Sequence, residues 1–443
     1  MLSPCRGFES LPLRQPPLSF RSTNSSRRRR LLLSRGVSTG FWLVLLSVAC
    51  SQRRLETDPE LLSAAPPELL AQLRADAYTY FRFVNHEWTA RVCEIFAEDI
   101  PHLPTVQLHG DAHVEQYALM NDAWGLDDFD DSARGPALVD IVRFLGSIDL
   151  AARHHGWTRD RDQLFDQFFA GYRRGLTDPS YKPQKPDIVR RLREQAPELT
   201  REAFLARAET MMAPMSETPM RGVIAAMEVF TRVVQQERPN LPDEYFRVSR
   251  AGWLHLGVGS ASSPKILIRA RGPSRDPADD VVLEVKTLRQ LTDLGGCLDV
   301  AGSQPTVRVI AGSQRLGRLQ PSILLPGPEV AIPEMTVQGE HLLDWWIRSW
   351  EPSYREIGLA DLRSIEDLSE IAVDSGAQLG AGSIHRETAS EETALRDESL
   401  ASVNALEKRL RKAAETLVLE LLRGWRELGG RQPSGLTNSA SRS

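Results

Sequence analysis

His109, Asp111 and His113 stand at alternate positions in the run Val106-Gln-Leu-His-Gly-Asp-Ala-His-Val-Glu-Gln116. Just beyond, Asp127, Asp128, Asp130 and Asp131 crowd four carboxylates into five residues around Phe129. Carboxylates this close disfavour one another's ionisation, so a folded chain that gathers them needs a counter-charge. A divalent cation, or a polyphosphate carrying one, is the natural compensation. An acidic cluster alone is more often a solvated loop, but its pairing with the His-Gly-Asp-x-His run favours a site. Two chemistries fit these residue types. One is phosphoryl transfer, in which positioning and charge neutralisation do most of the work. The other is metal-assisted hydrolysis, with His109, Asp111 and His113 on an extended segment ligating a transition metal together with Asp128.

The elements that would hold these residues can be read from pattern. The apolar run before His109 ends at Gly110, which reads as a strand breaking into a tight loop. Upstream, Leu69, Leu70, Leu73, Ala77, Tyr80, Phe81, Val84 and Trp88 recur at three and four, predicting an amphipathic helix or helix pair over residues 67–97. His86 and His102 near it read as structural or exposed. Downstream, residues 136–153 predict a helix with Leu138, Ile141, Val142, Leu145, Ile148 and Leu150 buried and Asp140 near its first turn. An acid there is also simply favourable at a helix N-terminus. Residues 160–240 show four more helical patterns. The character changes at Glu244: strands are predicted over 246–256, 265–271 and 281–286, with Gly257-Val-Gly-Ser260 after the first and Lys286 closing the third. Glycines of this kind let backbone N–H groups approach phosphate oxygens, and a lysine adds positive charge. Each signal alone has an ordinary reading, a hairpin turn or a solvated strand end. Glu334 and Glu340 are candidate partners for Lys286. Residues 300–345 read as alternating strands and loops, the tryptophan-rich stretch Leu342–Trp350 as the start of a helical half, and 364–379 and 401–428 as helices.

Together these motifs resemble a known group. His109-Gly110-Asp111-x-His113, then Asp128-Phe129-Asp130-Asp131, then Gly135-Pro136-x-x-x-Asp140 is similar to the catalytic core of aminoglycoside-phosphotransferase-like kinases. The chain more closely resembles a bacterial family known as domain of unknown function 2252. That likeness runs through Tyr80-Phe-Arg-Phe83, Gly110-Asp-Ala-His113, Asp128-Phe-Asp-Asp131, Gly257-Val-Gly-Ser260 and Leu283-Glu-Val-Lys286. A histidine-containing helix end at His385 matches as well. The resemblance implies a two-lobed protein-kinase-like α+β fold with permuted lobe order, because the glycine loop and lysine follow the catalytic loop here. It implies ATP and Mg2+ as cofactors and a small-molecule hydroxyl or amine as acceptor. Asp111 would be the catalytic base, flanked by His109 and His113, and Asp128 and Asp130 would hold metal with Gln116. Gln116 stands where the kinase-like motif has asparagine. Gly257, Gly259, Ser260 and Lys286 would bind the phosphates, and Asp140 would support the catalytic loop. Gln116 also fits an alternative, a nucleotide- or ligand-binding protein without transfer activity.

Composition sets the outer limits. The chain is 41% hydrophobic and 26% charged, which is globular. Eight of the 54 basic side chains and one of the 59 acidic ones fall in residues 1–49, leaving 46 against 58, a net −12 for the rest. An acidic body argues against nucleic acid as a partner. Arg27–Arg30, Leu31–Leu33 and the apolar stretch from Gly36 to Ala49 before Cys50 form a secretory-type leader, too short for a comfortable membrane span. Ser47-Val48-Ala49-Cys50 resembles a lipoprotein cleavage box with Cys50 as the lipidated, membrane-attaching residue, although Ser47 stands where Leu is usual. Export is the expectation, with a cytoplasmic protein as the alternative if the leader is a mis-assigned start. Cysteines 5, 50, 93 and 297 lie too far apart to read as a disulfide framework or a zinc pattern. The expected organisation is a leader (1–50), a linker (51–66), a helical catalytic lobe (67–240) and a nucleotide-binding-like β lobe (241–345). C-terminal helices completing the helical lobe (346–428) and a disordered tail (429–443) follow.

Overall fold

The computed structural model describes residues 55–57, 62–63, 65–196, 199–255, 264–288, 290–292, 294, 296–300, 304–328, 330–337, 340–341, 345–385 and 388–429. The leader with Cys50, the glycine loop Gly257–Ser260 and residues 430–443 lie outside them. The rest is a mixed α+β structure in one compact unit.

Three helices open it: α1 (Pro67–Ala75), α2 (Ala77–Phe83) and α3 (Asn85–Ile95). Asp76 caps α2 by accepting the Thr79 N–H at 2.7 Å, so the stretch expected as a helix or helix pair is divided into short helices. Four short strands then frame the motif region. β1 (Thr105–Leu108) pairs with β4 (Ala133–Pro136), and β2 (Tyr117–Met120) with β3 (Ala123–Leu126) across the two-residue turn Asn121-Asp122. Helix α4 (Leu138–His155) follows and is buried on nearly all sides from Leu138 to Ala152. Helices α5 (Arg161–Thr177), α6 (Asp187–Gln195) and α7 (Arg201–Thr210) complete this stretch.

β5 (Met212–Ala213), α8 (Glu217–Glu237), β6 (Val248–Leu254), β7 (Lys265–Ala270) and β8 (Val281–Thr287) come next. They are followed by α9 (Pro305–Leu316), β9 (Leu324–Pro326), β10 (Thr336–Val337), β11 (Glu340–His341), β12 (Trp345–Ser349) and β13 (Arg355–Glu356). The main sheet is antiparallel in the order β5-β6-β7-β8-β12-β9. Side chains alternate across a strand, and the two faces differ accordingly. Ile266, Ile268, Leu283, Val285, Trp345 and Ile347 pack with Val223, Met227 and Phe230 of α8. On the other face α7 covers Leu254, Leu267 and Val282. The rest of that face carries Lys265, Glu284, Lys286, Trp346 and Arg348, with Lys265 and Trp346 directly opposite Lys286 in the ladders. Trp346 joins the core of the helical part, so the charged face is turned toward it.

Helix α10 (Ile365–Gly382) lies against α5. A Cβ at Gly171 or Gly175 would collide with the carbonyls of Val373 and Ala377, and one at Gly376 or Gly380 with those of Phe168 and Tyr172. Only glycine permits this helix separation. Helix α11 (Ala389–Glu427) then runs 39 residues along α4 and α5. Leu55, the first described residue, donates its N–H to the Glu420 carbonyl of α11.

Three expectations are corrected. Residues 305–316 form a helix, because Val309, Ile310, Ser313 and Leu316 recur at helical spacing behind a Pro at the first turn. Residues 345–349 form a central strand whose aromatic and β-branched side chains alternate between two buried surfaces. Cys93 and Cys297 form a disulfide across 204 residues, with Cα atoms 5.8 Å apart. Separation in sequence concealed a pairing that the fold creates between α3 and the segment following β8.

Candidate functional site

Gly110 ends β1's extension with φ +86°, and a Cβ there would collide with the Asp131 carbonyl. This close approach ties the His-Gly-Asp-x-His loop to the acidic loop. Asn85 of α3 secures the junction, donating from Nδ2 to Gly110 O at 3.0 Å and to Asp131 Oδ2 at 2.9 Å. From below, the buried Asp140 carboxylate accepts the His109 N–H at 2.7 Å and the Gly110 N–H at 2.8 Å. Burial, only partly offset by those two N–H groups, pushes the Asp140 carboxyl up to about 7.

The loop's three candidate side chains differ in setting. His109 is fully enclosed, with Nε2 2.9 Å from the Asp127 carbonyl and its ring against Phe129. Burial lowers it to about 4, so it is neutral near pH 7. His113 is equally enclosed among Tyr78 and Phe81, and both ring nitrogens lack a hydrogen-bond partner. Burial and the nearby Arg82 and Arg143 charges drive it well below the usual imidazole range. Asp111 keeps 15% of its side chain exposed, against 1% for Arg143, whose Nε and Nη2 both lie 2.8 Å from Asp111 Oδ1. Desolvation outweighs Arg143 and pushes the Asp111 carboxyl up to about 6.

The acidic loop leaves β3 at Leu126. Asp127 donates its N–H to the Gln116 carbonyl at 2.8 Å, and Asp128 adopts the left-handed conformation, φ +58°, which aspartate tolerates. Arg308 of α9 holds the Asp130 carbonyl at 2.8 Å. Lys286 reaches over from β8: its ammonium contacts Asp130 and lies 3.8 Å from Asp128 Oδ1. Burial opposes ionisation of Asp128, but Lys286, Arg348 and Lys265 together hold its carboxyl far below the ordinary range. Asp130 Oδ1 is buried and has no partner. Next to Lys286, Arg348 bridges Glu284 at 3.1 Å and Asp127 at 3.6 Å, while Lys265 lies 3.7 Å from Glu284.

Several sequence candidates thus converge and others do not. Lys286 meets Asp128 and Asp130, not Glu334, which accepts from Ser216 at 3.3 Å on the surface. The Glu340 side chain, Gly257, Gly259, Ser260 and Cys50 lie outside what is described. Gln116 is buried at the start of β2 and meets the acidic loop through its backbone. His385 lies three residues past the end of α10. His109, Asp111, His113 and Asp128 form no ligand set: among the described residues no three His, Cys, Asp or Glu side chains converge as one. The sequence reading missed Arg143, Arg348, Lys265, Glu284 and Asn85. For Arg143 a signal existed, a charged residue in a helix otherwise apolar on almost every side. Arg348 was hidden by the helical reading of its strand.

Fold and site define an α+β protein with a charged sheet face turned to an aspartate-rich loop. Residues 63–218 match the family model DUF2252, described as an uncharacterized protein conserved in bacteria. The match takes in Asp111, the acidic loop, Asp140 and Arg143, and stops at the start of α8, before Lys286. No curated protein and no solved structure matches the chain.

Proposed function

We propose that the protein is a kinase-like phosphotransferase in which the helical part supplies the catalytic loop and the sheet supplies the phosphate-binding side. Lys286 standing against Asp128 and Asp130 is the observation that carries this reading. It joins a strand-borne lysine to an acidic loop, as the resemblance requires, despite the permuted order of the two parts. Mg2+ is commonly held by one or two carboxylates together with substrate phosphates. The unpartnered Asp130 Oδ1 beside Asp128 fits such an ion, and ATP would bring the remaining oxygens. When bound, the metal and nucleotide supply the transferable phosphoryl group and neutralise its charge.

The chain's own residues then have distinct tasks. Lys286 would lend its positive charge to phosphate oxygens, and Arg348, held by Glu284, offsets the charge of Asp127. Asp111, with its carboxyl raised toward neutrality, accepts the proton of an acceptor hydroxyl or amine. Asp140 fixes the loop that carries it. The test is ADP release by the full chain with Mg·ATP across a panel of small alcohols and amines. An acceptor-dependent rate that Asp111→Asn and Asp128→Asn both abolish supports transfer; release indifferent to both substitutions contradicts it.

A second reading, a nucleotide- or ligand-binding protein without transfer, is favoured by one observation. The Cys93–Cys297 disulfide suits an oxidising compartment, where ATP is scarce. The same disulfide supports export. Among the described residues no helix is long and apolar enough to cross a membrane.

A further inference from the structure

Arg143 is the least exposed cation near the loop, and its surroundings are built for it. The guanidinium carbon lies 3.5 Å from the Phe81 ring centroid and 5.6 Å from that of Trp88. Its Nη2 donates to the Phe81 carbonyl at 3.0 Å. Two of its nitrogens reach the same carboxylate oxygen, Asp111 Oδ1. A guanidinium normally engages both oxygens of a carboxylate in a fork. Here the second oxygen, Oδ2, is left to face His113 Nε2 at 3.6 Å, too long for a hydrogen bond. His113 in turn has no partner on either nitrogen, although it is wholly enclosed. A buried polar ring left unpaired is costly, which sets this histidine apart from one that merely fills the core.

We propose that Arg143 and His113 are positioning residues: Arg143 fixes Asp111 through Oδ1, and His113 steadies Oδ2, so that one oxygen is presented to an acceptor hydroxyl or amine. This rests on the reading of Asp111 as proton acceptor and adds how that acceptor is aimed. Arg143 sits one helical turn after Asp140 on α4. Asp140 therefore fixes the backbone of the loop while Arg143 fixes its side chain, both from one rigid element. Catalytic hydrogen bonds are often long without substrate and tighten when it arrives, and the 3.6 Å gap at His113 is of that kind.

The test uses the full chain with Mg·ATP as probe, following ADP release together with nucleotide binding by thermal shift. Arg143→Met keeps apolar bulk against Phe81 and removes the donors, while Arg143→Lys restores one. Arg143→Met is expected to lower kcat about a hundredfold with KM for ATP within about threefold, and Arg143→Lys to recover at least about tenfold of the loss. His113→Asn is expected to lower kcat about tenfold with nucleotide binding unchanged. A folded Arg143→Met with wild-type kcat, when Asp111→Asn has none, overturns this inference and leaves the phosphotransferase reading intact. Absence of ADP release from wild type overturns the phosphotransferase reading and this inference with it. Should Arg143→Met fail to unfold cooperatively, Arg143→Gln decides: reduced kcat at unchanged KM supports the assignment, and wild-type kcat overturns it.

Discussion

Asp111 and the pair Asp128–Asp130 are both acidic centres beside a cation, yet they are balanced in opposite ways. Asp111 is tied to an arginine that is itself stacked on Phe81, hydrogen-bonded to backbone and 1% exposed. Asp128 and Asp130 keep 38% and 21% side-chain exposure and face a lysine at the end of a strand. A packed guanidinium with two nitrogens on one carboxylate oxygen is a directional partner; a lysine ammonium is a mobile point charge. One centre is therefore fixed and the other exchangeable, the division that a proton acceptor and a metal–phosphate site would need.

The fixed side breaks with the largest effect. Asp140→Ala removes the acceptor of two buried N–H groups, and chemical denaturation is expected to show a loss of about 4 kcal/mol, given about 1–3 per unsatisfied buried group. The disulfide clamps the segment after β8 to α3, the helix that also carries Asn85. Cys93→Ser with Cys297→Ser is expected to cost about 3 kcal/mol, with the same loss on adding reductant to wild type. At the exchangeable side, Lys286→Met is expected to cost only about 1–2 kcal/mol, less than breaking a fully buried pair. Added Mg2+ should then stabilise the variant more than wild type, since two carboxylates have lost their counter-charge. A further effect lies in pH dependence. Asp111 and Asp140 titrate at about 6 and about 7 in the folded protein, against about 4 in an unfolded chain. The folded form then binds more protons between about pH 4 and 7, so these two groups make stability fall as pH rises through that window. Denaturation at several pH values should show this decline, and Asp111→Asn should shrink it.

The same contrast separates what the sequence revealed from what it hid. The Gly110 break, the helix carrying Asp140 and the strand ending in Lys286 were readable, because periodicity and a single glycine encode them locally. The identity of Lys286's partners was not readable: Asp128 and Asp130 lie far away in sequence, and the nearer glutamates drew attention. Arg143 was passed over because a helix pattern registers apolar positions and treats an interior charge as noise. The strand at Trp345–Ser349 was misread because tryptophan, isoleucine and arginine in alternation suit either period over so few residues. The Cys93–Cys297 pairing spans 204 residues and leaves no local trace.

The central claim is that the exchangeable centre takes a metal-bound nucleotide. Thermal shift of the full chain with ATP and Mg2+ tests it most directly, comparing wild type with Lys286→Ala and Asp128→Ala. Wild type is expected to gain roughly 2.7 kcal/mol at a hundredfold excess over the dissociation constant, and both variants to gain none. No shift in wild type with Mg·ATP, or an equal shift in all three proteins, would contradict the account.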